Sequence, residues 1–299
     1  MNKIKAWVST ARLRTLPLSV SGIIVGSALG HKNFIGTTVF WLAIATTLGL
    51  QILSNFANDY GDGVKGTDNE DRIGPERALQ SGIISRNEMK KSIILTSILT
   101  LVVAIALIYA AFGKENFLYS IFFFVLGVIA IIAAIQYTVG NSAYGYKGYG
   151  DVFVFIFFGL VSVVGCYFLF SKQLTGSIFL PAITIGLLST AVLNLNNMRD
   201  HDSDKKAGKN TLVVKLGVSA SRKYHFILIL GAMLAMFCYG LILYEKPINL
   251  LFVIAFIPLI VHLRKVSKVK QPKLLDPELK KVALTTFLLS ILFSLSQIL

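Results

Sequence analysis

The sequence predicts an all-α, polytopic membrane protein. It reads as a single integral membrane domain over residues 1–299, a bundle of nine transmembrane helices with a cytoplasmic-side active site. Three observations predict this. First, 55% of the 299 residues are hydrophobic and only 15% are charged, against about 25% charged in ordinary soluble domains. Second, the apolar residues fall into nine runs near the ~20 residues that a helix needs to cross a bilayer. Third, the 29 Lys and Arg residues divide unevenly between alternate connections. Such a composition excludes a soluble globular enzyme, a disordered chain and a secreted disulfide scaffold.

Lys3, Lys5, Arg12 and Arg14 precede Pro17 and an apolar run to Leu29. No small-residue cleavage site follows, so this segment reads as a retained first helix rather than a removed signal peptide. The spans are expected near residues 15–31, 37–57, 92–112, 116–136, 151–171, 177–196, 225–244, 247–264 and 281–298. These runs are continuously apolar, whereas strands of a membrane barrel would alternate. Cys166 and Cys238 lie inside apolar runs without metal-ligand spacing and read as small core or lipid-facing residues.

With a cytoplasmic N-terminus, 25 of the 29 basic residues fall on the cytoplasmic side, and only Lys32, Lys114, Lys172 and Lys246 fall outside. The positive-inside rule therefore predicts a multi-pass protein of the cell membrane, N-terminus cytoplasmic and C-terminus outside. The formal charge of +14 is then topological, and no nucleic acid partner is needed to explain it.

Outward connections are short, but the inward segments 58–91 and 197–224 are long and hold ten of the fifteen acidic residues. Long connections in a compact protein are commonly functional. In the first cluster, Asn55 and Asp59 are spaced i,i+4, as are Asn58 and Asp62, and each pair shares a face if the helix continues that far. A solvated acidic loop is the plainer alternative. It fits poorly, because the carboxylates repel one another, cations are not interleaved in equal number, and Asn55 still lies in the apolar run. Clustered hard oxygen ligands beside a bilayer suggest Mg²⁺.

In the second cluster, Asn196, Asp200 and Asp204 repeat at i, i+4, i+8 and are expected on one helical face, surrounded by Arg199, Lys205, Lys206 and Lys209. Polar residues entering a span are costly and by default functional. Carboxylates beside basic donors are what a Mg²⁺–diphosphate requires. The clusters lie four spans apart, which hints at a weak duplication of helices 1–4 and 5–8. Gly208-Lys209-Asn210 is no P-loop, since no Ser or Thr follows the Lys. His201 lies within the second cluster but suits a solvated loop residue better than a ligand. A transporter would carry its polar residues at the bilayer midplane, and these clusters sit at one interface. A non-catalytic membrane scaffold would keep its role without the carboxylates.

Asn58-Asp59-Tyr60-Gly61-Asp62 after the second span and Asp200-His201-Asp202-Ser203-Asp204 after the sixth resemble the paired motifs of the UbiA superfamily of intramembrane prenyltransferases. The extended strings from Gly66 to Gly82, from Tyr144 to Asp151 and from Asn196 to Leu212 are similar to the branch that acts on 1,4-dihydroxy-2-naphthoate. One departure is that Gly66 stands where a further Asp is usual, which leaves the third position of the first motif to Asp68 or Asp71.

The resemblance implies Mg²⁺-dependent transfer of a polyprenyl group from a polyprenyl diphosphate to dihydroxynaphthoate, with loss of CO₂, in menaquinone synthesis. Another aromatic acceptor, such as 4-hydroxybenzoate, is the alternative. It implies Asn58, Asp59, Asp62, Asp68, Asp200 and Asp204 as metal ligands, and Asn55, Arg72, Arg77, Lys147, Asn197 and Lys209 around the diphosphate. Asp59, Asp62, Asp200, Asp204, Lys147 and Tyr137 are then the catalytic set. Tyr137 and Tyr144 offer π-faces to an allylic cation or serve as interfacial belt residues. Phe122 to Phe124, Phe153, Phe155, Phe157 and Phe158 read as lipid-facing rather than as a lining for the apolar tail.

Overall fold

The computed structural model describes residues 2–67 and 77–299, whose regular elements are all helices with no strand among them. We number the helices α1 (Lys3–Ala11), α2 (Leu16–Gly30), α3 (Thr38–Lys65), α4 (Arg86–Phe112), α5 (Phe117–Gln136), α6 (Gly150–Ser171), α7 (Gly176–Arg199), α8 (His201–Lys206), α9 (Leu212–Ile242), α10 (Pro247–Lys268) and α11 (Pro272–Ile298).

Eight of these, α3 to α7 and α9 to α11, are each long and apolar enough to cross a bilayer. The first expected span is shorter than its apolar run suggested. α2 has 15 residues, and it joins the set only as a pair with α1, from which it is bent by 43°. The break falls at Arg12, which adopts the left-handed conformation (φ 51°).

Capping explains several helix starts. Thr37 accepts the Phe40 amide, Ser85 and Glu88 form a reciprocal capping box, and Thr211 accepts the Val214 amide. Each satisfies an amide that the first turn leaves without a helical partner. Several helices run well past their apolar segments. α3 continues to Lys65, because polar turns beyond the bilayer keep their intrahelical hydrogen bonds at little cost, whereas α9 begins at Leu212 but kinks at Gly217, which leaves helical geometry (φ 77°, ψ 159°).

Close packing follows from small residues. α2 lies against α6, where a Cβ on Gly26 would stand 2.4 Å from the Val163 carbonyl oxygen, the close backbone approach that small residues permit in membranes. Residues Phe155–Gly165 of α6 are π-helical, a form that is rare and frequent at functional sites. The largest core joins α7, α9, α10 and α11 through Ile185, Leu188, Leu195, Ile229, Phe252 and Phe293.

Gly61 holds α3 against the turn after α5, since its Cβ would stand 2.6 Å from the Thr138 hydroxyl. That hydroxyl donates to the Ala57 carbonyl at 2.9 Å. Gly61→Ala is therefore expected to destabilise the fold by about 1–3 kcal/mol, read as a lowered apparent Tm of the detergent-purified protein. An unchanged Tm would show that the junction relaxes freely.

Candidate active site

Because α3 remains helical to Lys65, its polar face enters the protein. Asn55, Asp59 and Asp62 are 2%, 0% and 4% exposed. Burial of this kind is tolerable only with partners, and each has them. Arg77 donates from Nη1 to Asp59 Oδ1 at 2.5 Å, and Arg12 Nη2 lies 3.5 Å from the same oxygen. Tyr146 donates its hydroxyl to Asp62 Oδ1 at 2.8 Å, and Lys209 Nζ lies 3.6 Å from Oδ2.

Lys209 also lies 3.9 Å from Asp204 Oδ1, so one ammonium bridges the two acidic motifs. Its placement is local: the Lys209 amide donates to the Asp204 carbonyl at 2.8 Å, and the Asn210 amide donates to the Tyr146 carbonyl at 3.0 Å. Burial alone would pull the Lys209 pKa down, but Asp62 and Asp204 outweigh it and raise it above the ordinary lysine value. Lys209 is therefore a fixed cation.

Burial, reinforced by Asp62, likewise raises the Tyr146 phenol, which stays protonated and donating. Lys65 Nζ sits 4.0 Å above its ring. Tyr146→Phe removes one donor to Asp62 and is expected to lower kcat roughly 5–30-fold, the cost of about 1–2 kcal/mol for one charge-assisted hydrogen bond. Steady-state kinetics checks this, and an unchanged kcat would show that the bond is dispensable.

The second motif departs from its expected geometry. Asn196, Asp200 and Asp204 do not share one continuous helical face, because α7 ends at Arg199 and Asp200 leaves helical geometry (φ −96°, ψ 8°) before α8 begins. Asp200 sits in the fork of Arg199, with Nε donating to Oδ1 at 2.8 Å and Nη2 to Oδ2 at 2.7 Å. His201 pairs with Asp202, whose side chain is 80% exposed.

A cavity of about 780 Å³ opens beside these groups. Asn55, Asn58, Asp59, Asp62, Arg77, Tyr137, Asn197 and Lys209 line it, together with Arg12, Tyr144 and Arg199. Asp200 and Asp204 are buried just behind this wall. Asn55 spends its amide on the N-terminal segment, donating to the Ala11 carbonyl at 2.9 Å and so holding α1 beside the cavity. Asn58 accepts from the Thr138 hydroxyl at 3.2 Å.

Lys147 is not brought to the cavity. It is exposed, and its carbonyl accepts from Lys215 Nζ at 2.6 Å. The one-turn helix Tyr144–Lys147 aims Tyr146 inward instead. Asp68, Asp71 and Arg72 lie outside the described residues.

Away from the carboxylates the cavity turns apolar. Ala104, Leu107, Ile108, Phe123, Leu126, Gly127 and Ala130 line it from α4 and α5, with Phe153, Phe157, Phe158 and Val161 from α6. The phenylalanines thus divide. Phe123, Phe153, Phe157 and Phe158 face the cavity, Phe122 and Phe124 are 63% and 42% exposed, and Phe155 packs at Gly186. Tyr144 stacks on Phe153 at 3.9 Å between centroids and meets Tyr137 edge-on at 5.3 Å.

This donor set fits a hard cation. Asn58, Asp59, Asp62 and Asp204 offer oxygen alone, and a cationic group already stands between the motifs. No three acidic, His or Cys side chains converge as a ready cage among the described residues. That suits an ion that takes one or two carboxylates and completes its shell with water and substrate phosphate oxygens.

Comparisons with known proteins agree with this construction. The chain is 46% identical over 297 residues to 1,4-dihydroxy-2-naphthoate octaprenyltransferase of Haemophilus influenzae, covering 98% of this chain and 96% of the relative. It is 42% identical to the protein of the same description from Escherichia coli, covering 99% and 96%. Among solved structures it resembles a UbiA homologue from Archaeoglobus fulgidus, with TM-score 0.67, 16% identity and coverage of 98% and 99%. A structure of a UbiA homologue from the same organism bound to DMAPP and Mg²⁺ gives TM-score 0.62 at 18% identity, covering 97% and 99%. The pattern of the UbiA prenyltransferase family matches residues 19–291, from α2 to the last membrane helix. Sharing sequence across that whole length, this chain belongs to the UbiA prenyltransferase family.

Proposed function

We propose that this chain transfers a polyprenyl group from a polyprenyl diphosphate to 1,4-dihydroxy-2-naphthoate with loss of CO₂, giving demethylmenaquinol in menaquinone biosynthesis. The observation that carries the proposal is a single cavity with a charged, oxygen-rich end and a long apolar end. A substrate with a diphosphate head and a hydrocarbon tail uses both. The acceptor is argued from the two relatives above, which carry that acceptor in their descriptions.

Mg²⁺, when bound, would supply charge neutralisation for the departing diphosphate. Asp59, Asp62 and Asp204 with Asn58 are the groups that would hold it, with Asp200 behind them. Arg12, Arg77 and Lys209 line the same end and give fixed positive charge for the phosphate oxygens. Such preorganised charge acts where negative charge develops.

The allylic C–O bond breaks with its electron pair leaving on diphosphate. The electron-rich naphthoate ring forms the new C–C bond, and its carboxylate departs as CO₂. The apolar wall excludes water, which would otherwise capture the allylic cation. The faces of Tyr137 and Tyr144 bound this zone, and burial followed by the charges of Asp151, Asp62 and Asp204 keeps the Tyr137 phenol protonated.

The division of basic residues supports a cytoplasmic N-terminus and site, an outside C-terminus and residence in the cell membrane. On this reading α2 is the first of nine spans. The test supplies purified protein, Mg²⁺ and a polyprenyl diphosphate with dihydroxynaphthoate and 4-hydroxybenzoate in parallel, and weighs products by mass spectrometry. The proposal expects a prenylated, decarboxylated naphthalene product. Prenylation of 4-hydroxybenzoate alone would overturn it.

A further inference from the structure

We propose that Arg199 is a positioning residue, which fixes the orientation of Asp200 and ties that carboxylate to Asp276 near the start of α11. The inference rests on the reading of the acidic motifs given above and assigns the residue that holds one of them in place.

Arg199 is 2% exposed. Its guanidinium makes four hydrogen bonds: two to Asp200 at 2.8 and 2.7 Å, one from Nη2 to Asn196 Oδ1 at 2.9 Å, and one from Nη1 to Asp276 Oδ1. Asp200 needs such a support. The main chain breaks there (φ −96°, ψ 8°), so no continuous helix aims its side chain. A bidentate fork defines both the position and the plane of a carboxylate. It engages one lone-pair direction on each oxygen of a group that has about four such sites, so Asp200 retains acceptor capacity for a further ligand.

The second attachment gives the arrangement reach. α11 also lines the cavity through Asp276, Pro277, Leu279, Lys280 and Ala283. Arg199 therefore links the second acidic motif to a wall of the cavity contributed by a helix far along the chain. Lysine cannot replace it, since an ammonium offers no planar fork.

The test uses the full-length purified protein and Mn²⁺ as probe, with free Mn²⁺ read by electron paramagnetic resonance in the presence of geranyl thiolodiphosphate as an unreactive donor. Arg199→Lys is expected to weaken Mn²⁺ binding roughly 10–100-fold, the usual effect of losing a group that orients a metal ligand. It should raise the Mg²⁺ needed for half-maximal rate by the same factor and leave the acceptor KM unchanged, with kcat recovered at saturating Mg²⁺. Asp276→Asn keeps the fork on Asp200 and should give a smaller shift, under about tenfold. It carries the test if the Arg199 variant does not fold. Unchanged Mn²⁺ affinity in both variants would overturn the proposal. So would a raised donor KM at unchanged Mn²⁺ affinity, which would mean that Arg199 touches the diphosphate itself. Mn²⁺ binding is read without turnover, so it decides the role of Arg199 whatever the acceptor proves to be.

Discussion

Asp62→Ala is expected to lower the rate of prenyl transfer by roughly 10²–10³-fold, the usual cost of removing one preorganised charge-stabilising group. Asp62 is the point at which the two motifs meet. It takes the Tyr146 hydroxyl on one oxygen and faces Lys209 with the other, and Lys209 in turn faces Asp204. Its loss removes a cation ligand and releases Lys209 from the position it shares between the motifs. Asp62→Asn separates charge from shape, because it keeps an acceptor for Tyr146 but not the negative charge. Both variants should elute as folded protein and both should be slow. A rate within threefold of wild type in Asp62→Asn would show that the carboxylate charge plays no part.

Gly127→Phe is expected to act on the other end of the cavity, selectively and by donor length. Gly127 lies in α5, lines the apolar region, and has no protein atom within 4 Å of where a Cβ would stand. The new ring would enter space that the prenyl tail needs, and glycine is a poor helix former, so no backbone penalty accompanies the change. For a long polyprenyl diphosphate, kcat/KM should fall roughly 5–150-fold, from about 1–3 kcal/mol of steric conflict. With geranyl diphosphate it should change little. Equal losses with both donors would mean that the tail does not run past α5.

Much of this arrangement was legible in the chain itself, because the bilayer imposes a strong pattern. Apolar length marked the spans, and the i,i+4 spacings of Asn55 with Asp59 and of Asn58 with Asp62 marked polar helical faces. Less legible was anything that depends on how a polar segment folds over the site. Arg12 read as one of four basic residues before the first span, a topological signal. Its place beside Asp59 depends on the left-handed turn that ends α1 and on Asn55 holding Ala11.

The family resemblance implied Lys147 at the diphosphate, yet the turn at Tyr144–Lys147 brings in its neighbour Tyr146. The Asp200–Asp204 spacing suggested one helix, whereas the chain breaks at Asp200 and Arg199 holds its side chain. Hydropathy also misplaced helix ends. It reports where a side chain is comfortable in lipid, while helices persist wherever backbone hydrogen bonds continue, as α3 does to Lys65 although its apolar run ends near 57.

The central claim is that two motifs far apart in sequence act as one site for a metal-bound diphosphate at the mouth of an apolar cavity. Equilibrium binding of radiolabelled farnesyl thiolodiphosphate tests it most directly, with and without Mg²⁺, in the wild type, Asp62→Ala and Asp204→Ala. Tight binding should require Mg²⁺ and should weaken by at least about tenfold, roughly 1.4 kcal/mol, in each variant. Binding that survives the loss of either carboxylate, or that ignores Mg²⁺, would contradict the account.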